Sequence, residues 1–262
     1  MRLGGRVGGR AGATRRQRQT LGAAAALMVA VLPAACSSGA TRAAGPGAPG
    51  TSAPPATTAR SCPTPATAEP VRFQSAGLTV EGLLLGRGPD GVVLSNQSDR
   101  DLCDWLPLAG TLAASGLRVM LYDDHQQPDD ATSAASELRR LGAKRVLLMG
   151  ASRGAKASLL AAATLRPEPA AVVSLSAERN LGPVDVLPAI ARLRAPVLLV
   201  AARGDAYGAG DDAGDLYRAA AHARSRRLVL VGGSAHGVDL LAGSQGARIQ
   251  AIVVEFLRDH AR

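Results

Sequence analysis

The sequence predicts an α/β domain built on a doubly wound, mostly parallel sheet. Short runs rich in Val and Leu recur from residue 91 onward without polar alternation. Strands buried on both faces read this way. Amphipathic stretches lie between those runs, and strands that alternate with helices imply parallel pairing. The roughly 190 residues from 71 onward are ample for one such domain with a full core.

Each element follows in order. "VRFQSAGLTVEGLLLG" (71–86) reads as two strands around Ala76-Gly77. The strand runs after it are "GVVLSN" (91–96), "RVMLYD" (118–123), "RVLLMG" (145–150), "AAVVSLSA" (170–177), "PVLLVAARGD" (196–205) and "RRLVLVGG" (226–233). The helical stretches are "WLPLAGTLAASG" (105–116), "ATSAASELRRLG" (131–142), "VDVLPAIARL" (184–193) and "DLYRAAAHAR" (215–224). Only residues 178–195 separate "AAVVSLSA" from "PVLLV". That is room for one helix and its turns, so no large cap domain is expected. Trp105, the one Trp, is assigned to the core.

Residues ahead of this domain read differently. Six Arg and no acid fall in the first 20 residues, and "LGAAAALMVAV" (21–31) follows. This is a basic region before a short apolar core, the pattern of a signal peptide over 1–35. The apolar run is shorter than the ~20 residues a membrane span needs. "VLPAACSSG" resembles a bacterial lipoprotein processing site, with Leu32 one place further from the Cys than in that pattern. The resemblance implies a lipid anchor on Cys36 and an extracytoplasmic, membrane-anchored protein. Plain secretion after ordinary cleavage is the alternative. Arg15-Arg16 lacks the hydrophobic residue that follows an export twin-arginine pair, so the export route stays open. Residues 36–70 hold seven Pro among Ser, Thr, Ala and Gly. Such a segment buries too little to fold and reads as a tether. The domain is assigned to 71–262.

Removing the signal changes the charge balance. Six of the 30 Lys and Arg precede Cys36, leaving 24 against 21 acids, a formal +3. That excess is too small to point to nucleic acid. Of three Cys, lipid on Cys36 leaves Cys62 and Cys103, which an oxidising compartment allows to pair. Two free buried thiols are the alternative.

The chemistry centres on "RVLLMGASRGAKASLL" (145–160). Ser152 stands between Gly150 and Gly154 in a G-x-S-x-G pattern. With 30 Gly and 17 Ser in the chain, about 0.2 such matches arise by chance, so context must decide. Ser152 directly follows a predicted strand and precedes a predicted helix. A nucleophile on such a sharp turn needs small residues at both flanking places. A serine also needs a base, and the base an orienting acid. Asp205 ends "PVLLVAARGD" and His236 follows "LVLVGG", each just past its own strand. Ligands gather at these strand ends in open α/β sheets. The order is Ser152, Asp205, His236.

With those residues, the chain from 79 to 262 resembles the α/β-hydrolase fold family, in particular its small dienelactone-hydrolase-like and esterase-like members. "PVLLVAARGDAYG" and "GGSAHG" resemble the acid and histidine loops of that family. The resemblance implies Ser152 as nucleophile, His236 as general acid/base and Asp205 as orienting carboxylate. It also implies an oxyanion hole of backbone N–H groups, from Arg153 and from Gln97 or its neighbour Ser98. The family usually carries His-Gly after the early strand, where this chain has Asn96-Gln97. Glu178 is a second candidate for the acid.

Other residues carry less. His125, His222 and His260 are assigned to a solvated loop, a helix surface and a chain end. "DDHQQPDD" has no distinctive metal spacing, and "GASRGAKAS" does not match a phosphate loop. No metal and no cofactor is expected. Aromatic residues are 2% of the chain, which argues against a sugar-stacking platform or a deep aromatic tunnel. The expected function is hydrolysis of a small or surface-presented carboxylic ester, thioester or lactone. A hydrolase-fold protein of the envelope that binds a ligand or partner without turnover is the alternative.

Overall fold

A computed structural model describes residues 62–261, apart from 124, 126 and 128. The signal peptide read over 1–35, the Cys36 anchor and the tether as far as 61 lie outside the described residues. The sheet opens with a hairpin. β1 (Glu69–Ser75) and β2 (Leu78–Leu85) pair antiparallel about Ala76-Gly77. Both turn residues have positive φ, 48° and 80°, as the tight two-residue hairpin turn requires. β1 starts two residues before the domain start assigned from sequence.

Six further strands complete the main sheet. They are β3 (Asp90–Ser95), β4 (Arg118–Tyr122), β5 (Arg145–Ala151) and β6 (Val172–Leu175), then β9 (Val197–Ala202) and β10 (Arg226–Val231). Between β6 and β9 lies a separate two-residue ribbon, β7 (Asn180–Leu181) with β8 (Val184–Asp185). The main order is β1-β2-β4-β3-β5-β6-β9-β10. β2 pairs antiparallel with β1 and β4, and every pairing from β4 to β10 is parallel. β3, β6 and β9 are buried at every residue, which explains their mostly apolar sequence without polar alternation.

Helices cover both faces. α1 (Leu106–Ala114) packs on one face through Leu108 and Leu112. On the other face lie α2 (Asp130–Arg140), α3 (Arg153–Thr164), α4 (Leu187–Ile190) and α5 (Ala209–Ala219). α6 (Gly243–His260) joins α1 on the first face through Ile249, Val253, Phe256 and Leu257. This is the doubly wound arrangement, and no large cap interrupts the segment between β6 and β9.

Two helices differ from expectation. The stretch 184–193 was expected as a helix, yet only the single turn of α4 forms. Its first residues are spent on β8, and Asp185 Oδ1 accepts from the Leu187 N–H at 3.0 Å. α5 begins at Ala209 rather than 215, with Asp211 and Asp212 in its first turn, where carboxylates favour a helix N-terminus. Trp105 is fully buried at the end of a 3-10 turn, Leu102–Trp105. Cys62 and Cys103 form a disulfide, Cα to Cα 5.7 Å, that ties the start of the described chain to this turn.

Candidate active site

The parallel register brings four loops to one edge of the sheet. Ala151 pairs with Leu175, Leu175 with Val200, and Val231 with Ala202. The residues that follow β5, β6, β9 and β10 therefore emerge side by side. Ser152 follows β5 with φ 48° and ψ −115°, a backbone conformation that side chains rarely adopt. Its N–H donates to the Leu175 carbonyl at 2.8 Å, and its carbonyl accepts from Lys156 N–H at 3.1 Å. The turn is held from both ends.

The flanking glycines are required by close approach. A Cβ on Gly150 would lie 2.2 Å from the Gly154 carbonyl oxygen. A Cβ on Gly154 would lie 2.3 Å from the Ser95 oxygen and 2.4 Å from that of Asn96. The sharp turn is thus possible only without side chains at these two places. Arg153 is the first residue of α3, where backbone N–H groups point out of the helix toward an anion.

Asp205 and His236 meet directly. His236 Nδ1 lies 2.8 Å from Asp205 Oδ2, and the Asp205 side chain is fully buried. The other carboxylate oxygen, Oδ1, accepts from the Tyr207 N–H at 2.9 Å. With both oxygens engaged, the carboxylate has one orientation, and it fixes the imidazole through Nδ1, leaving Nε2 on the opposite side of the ring. Two backbone bonds strap the acid loop to the histidine loop, Arg203 N–H to Val231 O and Gly204 N–H to Gly233 O, each 2.9 Å. Tyr207 covers the imidazole, ring centroids 4.4 Å apart, while itself largely exposed.

Gln97 has a side-chain role that sequence reading missed. Its Oε1 accepts from the Val238 N–H at 3.0 Å, and its Nε2 donates to Asp99 Oδ1 at 2.8 Å. The carboxamide thus clamps the loop after β3 to the residues just beyond His236. Gly237 sits beneath it with φ 57°, and a Cβ there would lie 2.0 Å from Gln97 Oε1 and 3.5 Å from the Ala151 Cβ. The histidine loop is therefore seated against the end of β5, next to Ser152. The Gln97 hydrogen bond holds the Asp99 carboxyl below the ordinary carboxylate value, against a smaller effect of burial. A second strap runs from Arg100 to Asp239 at 3.3 Å. Asn96 points away, its Nδ2 donating to the Tyr122 carbonyl at 3.0 Å.

Glu178 does not take the place of Asp205. It stands on the opposite side of the ring, Oε1 3.9 Å from His236 Nε2. Its other oxygen, Oε2, pairs with Lys156. Lys156 lies one turn into α3 from Ser152, a spacing of four that could have marked it in the sequence. The remaining histidines stay apart: His125 and His222 are exposed, and His260 Nδ1 lies 2.8 Å from the Phe256 carbonyl on α6. No group of His, Cys, Asp and Glu among the described residues is arranged to hold a metal. A cleft of about 430 Å³ lined by Thr111, Gln250, Glu255 and Arg258 opens between α1 and α6 and contains none of the residues above.

The chain matches no protein-family model and no curated protein. Solved structures do match. A dienelactone hydrolase from Anabaena variabilis superposes with a TM-score of 0.60 at 20% identity, covering 75% of this chain and 100% of its own. An esterase from Pyrococcus furiosus gives 0.65 at 14% identity, covering 74% and 91%. Est1E from Butyrivibrio proteoclasticus gives 0.63 at 13% identity, covering 73% and 98%. This is the α/β-hydrolase fold. Ser152, Asp205 and His236 follow β5, β9 and β10 of this fold.

Proposed function

We propose that the protein is a serine hydrolase that cleaves a small or surface-presented carboxylic ester, thioester or lactone through an acyl-enzyme on Ser152. One observation carries the reading. A serine held in a strained, glycine-flanked turn shares one sheet edge with a histidine already bonded to a buried carboxylate. Strain of this kind persists only where the surroundings enforce it, and it gathers at functional sites.

In this reading the three side chains divide the chemistry between them. His236 takes the Ser152 proton on Nε2 as Oγ attacks the ester carbonyl. Asp205 holds the ring and stabilises the imidazolium that forms. In the same reading the backbone N–H groups of Arg153 and Gln97 stabilise the developing oxyanion, where one such donor is worth about 10²–10³ in rate. Nε2 then gives its proton to the leaving alcohol, and water reverses the sequence to release the acid. The short segment between β6 and β9 supports an open mouth, suited to a small or surface-presented ester. We also propose export and lipid anchoring through Cys36, on the signal-like segment and the Cys before the tether. The Cys62–Cys103 disulfide suits an oxidising compartment.

The test is fluorophosphonate labelling of the purified protein beside its Ser152→Ala variant. Labelling is expected in the wild type and absent in the variant. A folded wild type that takes no label would reject catalysis and leave ligand binding as the function of the site.

A further inference from the structure

We propose that Glu178 is a catalytic residue of deacylation: its Oε1, together with Nε2 of His236, holds the water that hydrolyses the acyl-enzyme. The proposal rests on the serine hydrolase reading above and extends it to the second half of the reaction.

The geometry points to a water rather than to a direct contact. An N–H···O bond spans about 2.7–3.2 Å, so the 3.9 Å between Nε2 and Oε1 is too long for one. Two polar atoms held just beyond direct reach are a natural setting for a bridging water. A water about 2.8 Å from both would see them roughly 90° apart, close to the angle between its own hydrogens. One hydrogen then points at Nε2 and the other at Oε1. The oxygen lone pairs are left free to attack an acyl carbon carried on Ser152.

The fold spends unusual structure on placing this carboxylate. β6 ends at Leu175, and the next residue, Ser176, is buried with a φ of 52°. Its N–H is held by the Val200 carbonyl at 2.8 Å. Two residues later Glu178 is delivered to the site with only 16% of its side chain exposed. A carboxylate so enclosed is costly unless paired. Lys156, 12% exposed, offsets that cost and occupies Oε2, so that Oε1 is the oxygen presented to His236. Lys156 is a positioning residue in this scheme. Asp205 already occupies Nδ1, so Glu178 is not needed to orient the ring.

The step balances. The water oxygen bonds to the acyl carbonyl carbon while its proton passes to Nε2. The tetrahedral intermediate collapses, the bond from carbon to Ser152 Oγ breaks, and the imidazolium returns its proton to Oγ. Glu178 accepts a hydrogen bond throughout, gains no proton, and stays paired with Lys156.

Acylation and deacylation give the test, with p-nitrophenyl acetate as probe. The first turnover reports acetylation of Ser152. The decay of isolated acetyl-enzyme, followed by intact mass, reports its hydrolysis. Glu178→Gln, whose amide turns its oxygen to Lys156 and presents a donor instead, is expected to acetylate within about twofold of wild type and to lose its acetyl group about tenfold more slowly or worse. Lys156→Met is expected to show the same one-sided defect. A Lys156→Ala/Glu178→Ala double variant removes both charges together and serves if a single variant does not fold; its acetyl-enzyme is also expected to be long-lived. Hydrolysis of the acetyl-enzyme at the wild-type rate would overturn the proposal. So would an equal fall in both steps, which marks a structural role. A wild type that never acetylates on Ser152 fails at the earlier stage, as a failure of the hydrolase reading itself.

Discussion

Gln97 shows how much one side chain decides at this site. The sequence marked it for its backbone N–H, in a place where the family it resembles usually carries a glycine. In the structure its carboxamide joins two loops 141 residues apart, from Gln97 to Val238. Gln97→Ala would leave the buried Val238 N–H without its acceptor, at a cost of about 1–3 kcal/mol. It would also free the loop that carries His236. We expect kcat/KM to fall about tenfold or more, since small misplacements of catalytic groups are costly. Denaturant titration and ester hydrolysis read the two effects separately. Asp205→Asn would turn an amide N–H or an uncharged oxygen toward Nδ1 and lose the stabilised imidazolium, with an expected loss of about 10³–10⁴ in kcat. At Asp99 the carboxyl titrates below its ordinary 3.8 because Gln97 donates to the charged form. A depressed carboxylate contributes its stability in full above the unfolded value and loses it as pH falls through the folded one. The stability difference between wild type and Asp99→Asn should therefore be constant well above pH 3.8 and shrink as pH falls toward and below it, as measured by urea unfolding across pH.

Among the elements, the turn from β5 into α3 is the most constrained. Gly154→Ala would drive a Cβ into two backbone carbonyls of the β3 end, neither of which can rotate aside. The helix must back away from the sheet, at about 1–3 kcal/mol or more. Because the displaced strand end leads straight into Asn96 and Gln97, fluorophosphonate labelling should fall as well. Gly110 in α1 is the contrasting case: nothing lies within 4 Å of a Cβ there. Gly110→Ala should stabilise by about 0.5–1 kcal/mol through helix propensity alone, seen as a higher denaturation midpoint with unchanged labelling. α6 was legible but unclaimed. Its buried Ile249, Val253, Phe256 and Leu257 fall at helical spacing on one face. α4 was claimed too long, because helical spacing in 184–193 says nothing of a ribbon that pairs 180–181 with 184–185.

At the scale of the whole molecule, the disulfide closes the chain on itself. Cys62 and Cys103 are 41 residues apart and enclose β1, β2 and β3. Removing the bridge with a Cys62→Ser/Cys103→Ser pair should cost about 2–5 kcal/mol, measured as a drop in unfolding free energy. The loop beside Cys103 carries Gln97 and Arg100, so labelling should weaken before the fold is lost. No helix among the described residues is long and apolar enough to cross a membrane. If Cys36 is the anchor we propose, Cys36→Ala should release the protein from the membrane fraction with its labelling intact.

The sequence by itself determined the class of fold and the sharp turn at Ser152. Both are local: unbroken apolar runs mean strands buried on two faces, and a serine between glycines after such a run has few places to be. It also ordered the strand ends, and so offered Asp205 and Glu178 together as partners for His236. Only the tertiary structure chose between them. β9 lies beside β10, whereas β6 is one strand further off. The acid after β9 therefore reaches Nδ1 of a histidine that follows β10, and the acid after β6 arrives on the far side of the ring. Strand order is set by long-range packing, and one-dimensional spacing carries no record of it.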